Sequence, residues 1–326
     1  MISRRAFLSQ AAGLAVAGTG FWWLRDNVLL PTARTSFDSG ALSSGWLPFS
    51  GEDDRVVLVS ALVNGTPVQT LLDSGAQSSV IDRGLAARLG LHLSVIPPVV
   101  ALGVSGRPQL GRTTALDVGL GALRLGLRAA VLELHAISAA SGLPFGLILG
   151  QDVLTALVAD IDFPGRRLSL HGPARYQLPA DAVSTPARRH GRELLVPVTI
   201  ERSALELVLD TGASGAISLA ADVAEAAGLL AGRPVGHAPS ISFGGLSQNR
   251  FVSARALTFA GRSYADTPVQ IYAARAGGKI PRGLLGVELL KPYRVILDQG
   301  GGRLHLAPNG GPGPKTVTLE GVFSAP

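Results

Sequence analysis

The sequence predicts a mostly all-β fold made of two homologous lobes related by a pseudo-twofold axis. Three observations carry that prediction. The chain is a succession of short apolar runs punctuated by many glycines and prolines (41 and 21 in 326 residues), the texture of paired strands rather than long helices. An apolar strand, Val68–Leu72, delivers Asp73 into Ser74-Gly75-Ala76, and a second, Leu205–Leu209, delivers Asp210 into Thr211-Gly212-Ala213. The elements around the two aspartates recur in one order and register. The offset is 137 residues from Asp73 to Asp210 and 136 from Gly150 to Gly286 and from Asp162 to Asp298. A fixed offset held over such a span is the mark of a duplicated unit.

Taken in order, residues 1–30 read as an address. Ser3-Arg4-Arg5-Ala6-Phe7-Leu8 has the twin-arginine export pattern and precedes a moderately apolar run to Leu24. Ala15-Val16-Ala17 offers a small-residue cleavage site. Phe21-Trp22-Trp23-Leu24 followed by Arg25 instead resembles an interface belt closing a membrane anchor over residues 6–24. The balance favours an uncleaved anchor. The expected compartment is the periplasm or cell envelope, and the expected partner is the twin-arginine export machinery. Residues 31–54, rich in Ser, Gly and Pro, read as a linker.

The first lobe is expected over 55–172. Asn64-Gly65 between Val56–Val63 and Val68–Leu72 is a hairpin signal. Arg83–Leu89 closed by Gly90 predicts a short helix. Val99–Gly106 predicts a glycine-tipped hairpin, and Leu116–Leu134 alternates as paired strands do. Leu147-Ile-Leu-Gly150, Val158–Phe163 and Arg167–Leu170 complete the unit. Residues 173–191 read as the interlobe linker. The second lobe, 192–308, repeats the order: a hairpin over Glu193–Ile200 and Leu205–Leu209, a helix over Ala220–Ala227, a glycine-tipped hairpin around Ser240–Leu246, Leu284-Leu-Gly286, and closing strands Tyr293–Asp298 and Arg303–Leu306. Residues 309–326 form a Gly/Pro-rich tail.

Composition removes several function classes. There is no cysteine, so disulfides, thiolate metal sites and a cysteine nucleophile are absent together. The six histidines do not fall at metal-ligand spacings, so neither a metal nor another cofactor is expected. The net charge of +6 comes from scattered arginines, with three lysines and 5% aromatics, which does not describe a nucleic-acid surface. Gly119-Leu-Gly121 is followed by no Lys-Ser/Thr and is no phosphate loop.

A pseudo-twofold axis would bring Asp73 and Asp210 side by side. Two carboxylates a few ångströms apart cannot both ionise cheaply and so share a proton. The ionised member can take a proton from a water between them while the protonated member donates to the carbonyl oxygen under attack. Ser74 and Thr211 supply hydroxyls able to bond across the axis, and Gly75 and Gly212 let backbone N–H groups close on the carboxylates. Asp162 and Asp298 also match between halves but precede hairpin turns and read as structural.

Asp73-Ser-Gly-Ala with Ser79-Val-Ile81 and Leu147-Ile-Leu-Gly150 resembles the retropepsin-like aspartic proteases. Asp210-Thr-Gly-Ala with Ala216-Ile217 and Leu284-Leu-Gly286 resembles them again. The resemblance implies two acid-protease-type lobes in one chain, in the bilobal arrangement of pepsin-like enzymes, with Asp73 and Asp210 catalytic. It implies that the dyad loops Ser74-Gly75-Ala76 and Thr211-Gly212-Ala213 interlock. It also maps substrate-covering flaps onto Leu102, Gly103, Val104, Ser105 and Gly106 and onto Phe243, Gly244, Gly245 and Leu246. The implied substrate is a peptide or protein, and with both lobes in one chain a monomer suffices. Ala76 and Ala213 stand where pepsin-like enzymes carry Ser or Thr. Fewer hydroxyl donors to the carboxylates imply a pH optimum less acidic than that of gastric enzymes. Neither flap segment contains Tyr.

The reading from sequence is therefore an exported aspartic endopeptidase. The alternative is a non-catalytic peptide-binding cell-envelope protein that keeps the cleft. A structural β protein using the repeat only as scaffold ranks last, because it gives no reason for two matched carboxylates.

Overall fold

The structure is a computed structural model that describes residues 31–50, 54–101, 109–242, 245–273 and 281–308. In chain order the first half holds strands β1 (Arg34–Phe37), β2 (Leu47–Pro48), β3 (Val57–Val63), β4 (Thr66–Leu72) and β5 (Val80–Asp82), then helix α1 (Arg83–Arg88). It continues with β6 (Ser94–Ala101), β7 (Gln109–Leu120), β8 (Leu123–Leu132), helix α2 (His135–Ser141), β9 (Leu147–Leu149), helix α3 (Gln151–Leu154), β10 (Val158–Asp162) and β11 (Arg167–His171). The second half holds β12 (Val183–Thr185), β13 (Arg188–His190), β14 (Glu193–Ile200), β15 (Ser203–Leu209), β16 (Ile217–Ala220) and helix α4 (Ala221–Ala226). There follow β17 (Gly236–Ser242), β18 (Gly245–Ala254), β19 (Leu257–Phe259), β20 (Arg262–Tyr264), β21 (Thr267–Tyr272), β22 (Gly283–Leu285), a 3-10 turn at Val287–Leu289, β23 (Tyr293–Asp298) and β24 (Arg303–Pro308).

Each lobe starts from a hairpin made by local sequence. In β3 and β4 the apolar side chains other than Leu62 and Pro67 are buried, and the connection places Asn64 (φ 46°) and Gly65 (φ 83°) at positive φ, the geometry of a two-residue type I′ turn. The second lobe's hairpin, β14–β15, turns instead at Glu201 (φ 56°), whose carboxylate is held by Arg233 at 2.8 Å and by the Arg255 N–H at 2.7 Å. Asp82 caps α1 by accepting from the Leu85 N–H at 2.9 Å. Its other oxygen accepts from the Leu134 and His135 N–H groups, which fixes the chain entering α2.

The two lobes share their central pairing. β4 runs parallel to β9 (Leu71 opposite Ile148, Leu72 opposite Leu149), and β15 runs parallel to β22 (Val208 opposite Leu284, Leu209 opposite Leu285). In both lobes the strand after the aspartate loop is antiparallel to this central partner and parallel to the next strand out, β8 or β21. The strands feeding the two aspartates are therefore interior strands, and Leu71, Leu72, Leu149, Leu209, Leu284 and Leu285 are fully buried. Each such leucine contributes roughly 1.5–3 kcal/mol of transfer free energy. The platform carrying the aspartates is accordingly among the best-packed parts of the molecule.

A third sheet joins the lobes. β10 pairs antiparallel with β23 (Asp160 opposite Ile296, Ile161 opposite Val295), in the order β12-β24-β23-β10-β11-β2. Arg294 anchors it, donating from Nε and Nη2 to the buried Asp160 carboxylate at 2.8 and 2.6 Å, while the Tyr176 hydroxyl donates to the same group at 2.8 Å.

Two segments read as linkers belong to this framework. Within 31–54, β1 pairs along β8 (Arg34 opposite Gly126 to Phe37 opposite Leu123) and β2 pairs with β11. Within 173–191, β12 pairs with β24 and β13 with β14. These strands lie where an existing strand offers free backbone groups, so they form without alternation of their own. The signal segment 1–30 and the tail lie outside the described residues. So do Leu102, Gly103, Val104, Ser105 and Gly106 of the first flap and Phe243 and Gly244 of the second. Gly245 and Leu246 are the first residues of β18, opposite Ser242 and Ile241. Among the described residues no helix is long and apolar enough to cross a membrane.

Candidate active site

Asp73 and Asp210 leave the ends of β4 and β15 in the same way. The Asp73 N–H donates to the Leu149 carbonyl at 3.0 Å and the Asp210 N–H to the Leu285 carbonyl at 2.9 Å, so each parallel pair steers its aspartate into the loop. Asp73 Oδ1 accepts from the N–H groups of Gly75 and Ala76, both at 2.9 Å. Asp210 Oδ1 accepts from Gly212 at 2.9 Å and Ala213 at 3.2 Å. Both carboxyls are completely buried.

The loops interlock. Ser74 Oγ donates to the Leu209 carbonyl and accepts from the Thr211 N–H, at 2.8 and 3.0 Å. Thr211 Oγ1 donates to the Leu72 carbonyl and accepts from the Ser74 N–H, again at 2.8 and 3.0 Å. Four reciprocal bonds thus tie each hydroxyl to the opposite strand end. The glycines make the closeness possible. A Cβ on Gly75 would lie 2.6 Å from the Asp210 carboxyl carbon, and one on Gly212 would lie 2.5 Å from that of Asp73. Each glycine therefore covers the other lobe's carboxyl, and no larger residue fits.

This proximity shows in the electrostatics. The Asp210 carboxyl is pushed well above the usual carboxylate range, first by burial, then by the Asp73 charge and by hydrogen bonding with Asp73. The Gly212 and Ala213 N–H groups oppose the rise without cancelling it. A buried pair in this state holds one proton between two acids, so one group can accept a proton while its neighbour donates one.

Behind the first loop lie groups that sequence reasoning missed. The Gln151 side-chain amide donates to the Ser74 carbonyl at 3.0 Å. The Gln299 amide, from the second half of the chain, donates to the same carbonyl at 3.1 Å and to the Arg192 carbonyl at 2.8 Å. The fully buried Asp152 accepts from Ser79 Oγ at 2.9 Å. The available signal was the difference between the repeats, Gly150-Gln-Asp against Gly286-Val-Glu and Ser79 against Ala216.

Burial pushes the Asp152 carboxyl up to about 7, partly offset by its hydrogen bond from Ser79. The folded protein therefore holds this proton to higher pH than the unfolded chain, whose value is near 3.8. The associated stability is complete below about pH 4 and is lost as pH rises through 7. Asp152→Asn should remove this dependence, flattening the fall in unfolding free energy between pH 4 and 7 by a few kcal/mol, as urea titrations at stepped pH would show.

Comparison with known families agrees with the duplicated architecture. The model of a family described as aspartyl protease matches twice, over residues 59–153 and 196–289, which together make up more than half of the chain. Each match contains one aspartate loop and its central parallel pair. No curated protein matches the chain. The chain belongs to the aspartyl protease family, and it carries that family's unit twice in one polypeptide.

Proposed function

We propose that the protein is an exported endopeptidase that hydrolyses peptide bonds with a water activated between Asp73 and Asp210. The observation that carries this reading is the buried carboxyl pair, one acid from each lobe, clamped by the Ser74–Thr211 interlock and covered by Gly75 and Gly212. The ionised acid removes a proton from water as oxygen attacks the scissile carbonyl. The protonated acid donates to the carbonyl oxygen as charge develops there, and collapse of the tetrahedral intermediate passes a proton to the leaving amine. Burial makes both steps effective, since the charge on the pair is screened little and its geometry is fixed before substrate arrives. Both acids lie within the two segments matched by the family model. The flap role of residues 102–106 and 243–246 belongs to the same proposal.

The test is cleavage of a mixed peptide library by the purified full-length chain, with Asp73→Asn and Asp210→Asn beside it. Cleavage by the parent and none by either variant is the expected result. Binding without cleavage by all three would instead favour the peptide-binding alternative.

Export rests on Arg4-Arg5 and the apolar run that follows. Replacing both arginines with lysine should leave the protein in the cytoplasm of a host with a twin-arginine pathway, while the parent fractionates with the periplasm or inner membrane. Equal fractionation of the two would remove the export proposal and leave the peptidase reading untouched.

A further inference from the structure

The interlock treats the two loops alike, but the groups behind them do not. On the first loop, the Ser74 carbonyl accepts two side-chain amides, Gln151 Nε2 at 3.0 Å and Gln299 Nε2 at 3.1 Å. Both glutamines are buried, at 1% and 0% exposure, so water does not compete for these bonds. On the second loop the corresponding carbonyl belongs to Thr211. The repeat places Val287 at the position of Gln151 and Phe163 at that of Gln299, and neither side chain can donate. The asymmetry is therefore written into the residues.

The Ser74 carbonyl and the Gly75 N–H are two ends of one peptide group, and that N–H donates to Asp73 Oδ1 at 2.9 Å. Donors on a carbonyl polarise the peptide and strengthen its N–H as a donor, by about 10–30% per bond. A stronger donor favours the charged form of the acid it serves. The Gly75 and Gly212 N–H contacts are equal at 2.9 Å, and the difference in length lies one peptide on: Gln151 Nε2 also reaches the Gly75 carbonyl, at 3.5 Å, and the Ala76 N–H lies 2.9 Å from Asp73 Oδ1, against 3.2 Å between Ala213 and Asp210.

We infer that Gln151 and Gln299 are positioning residues that break the symmetry of the pair, so that Asp73 carries the negative charge and acts as base while Asp210 holds the proton and acts as acid. The role of base rests on the peptidase reading; the location of the charge does not.

The surrounding charges do not reverse this order. Behind the first loop stand Asp152 and the Arg192 side chain; Asp152 is raised by burial to about 7 and is mostly neutral below that pH, and Arg192 is positive. Behind the second loop Glu288 is paired with Lys291 at 3.0 Å and Lys291 with Asp54 at 3.1 Å. Beside β16, Asp222 is paired with Arg282 at 2.6 Å, and the buried Tyr272 hydroxyl donates to the Pro281 carbonyl.

The test reads the charge directly. Aspartate 13C-carboxyl resonances of the full chain are followed through a pH titration, with Asp73 and Asp210 assigned from their Asn variants. The first ionisation of the pair should move the Asp73 resonance further than that of Asp210. In Gln299→Met, and separately in Gln151→Met in case one variant fails to fold, the two movements should become more nearly equal. The acidic limb of the kcat/KM profile should move up by about half a pH unit. A purely structural role would lower the unfolding temperature and leave both readouts in place. The inference is overturned if Asp210 ionises first, or if the folded glutamine variants keep the parent's partition. If the resonances behave as expected but no peptide is cleaved, the charge assignment stands and the peptidase reading falls.

Discussion

Asp73→Asn and Asp210→Asn should each lower peptide hydrolysis by about 10³-fold or more while leaving the fold intact. The kinetic part follows from the roles. An amide in place of either acid can neither take a proton from water nor pass one on, and the remaining acid cannot do both in one step. The stability part has an unusual sign for a buried charged site. Asp210 is raised in the folded state by burial and by Asp73, so the folded protein binds its proton more tightly than the unfolded chain does. That contribution is complete below the unfolded carboxylate range and is lost as pH rises through the folded value. Asp210→Asn carries no such proton, so its stability relative to the parent should improve as pH rises. Thermal unfolding at several pH values would show this, and a variant that becomes steadily less stable than the parent with rising pH would contradict it.

The second large effect concerns the interlock. Thr211→Val keeps the shape of a fully buried side chain but removes a hydroxyl that serves both the Leu72 carbonyl and the Ser74 N–H. Each of those backbone groups is then left unpaired in the interior, at roughly 1–3 kcal/mol apiece, so a loss of about 3–5 kcal/mol is expected. Activity should fall further than stability alone requires, because the hydroxyl also sets the register of the two loops and a shift of about 1 Å can cost 10²-fold. Thr211→Ser retains the oxygen and should recover most of both losses. Denaturant titration and initial rates on the three proteins measure the two effects separately.

The parts legible in the sequence were those specified by local chemistry. Asn64-Gly65 fixes a type I′ turn, Gly90 at φ 63° follows the last turn of α1, and the apolar runs ending at Leu72 and Leu209 lead into their aspartate loops. The cross-axis role expected for Ser74 and Thr211 agrees with the bonds observed. The illegible parts depend on partners distant in the chain. β1 is a polar edge strand that exists because β8 offers its backbone, and β2 and β12 border the sheet that joins the lobes. Helix α2 is a short run of small residues without a polar cap, ended by Gly142 at φ 70°, and gives no periodic signal. The strands β19 and β20 take the places of the distal ends of β7 and β8, with β19 pairing to β14 as β7 does to β3, but the second lobe breaks each long strand in two, and nothing in the local sequence marks those breaks. Gln299 could not be placed beside Ser74 without the fold, since 225 residues separate them.

The central claim is that one site is formed within one chain by an acid from each lobe. Mixing equal amounts of Asp73→Asn and Asp210→Asn and assaying the mixture beside the parent tests it directly. If the pair forms within the chain, the parent cleaves, each variant is inactive, and the mixture is inactive too. Recovery of a substantial fraction of the parental rate on mixing would mean that the pair is assembled between two chains, and would contradict the account.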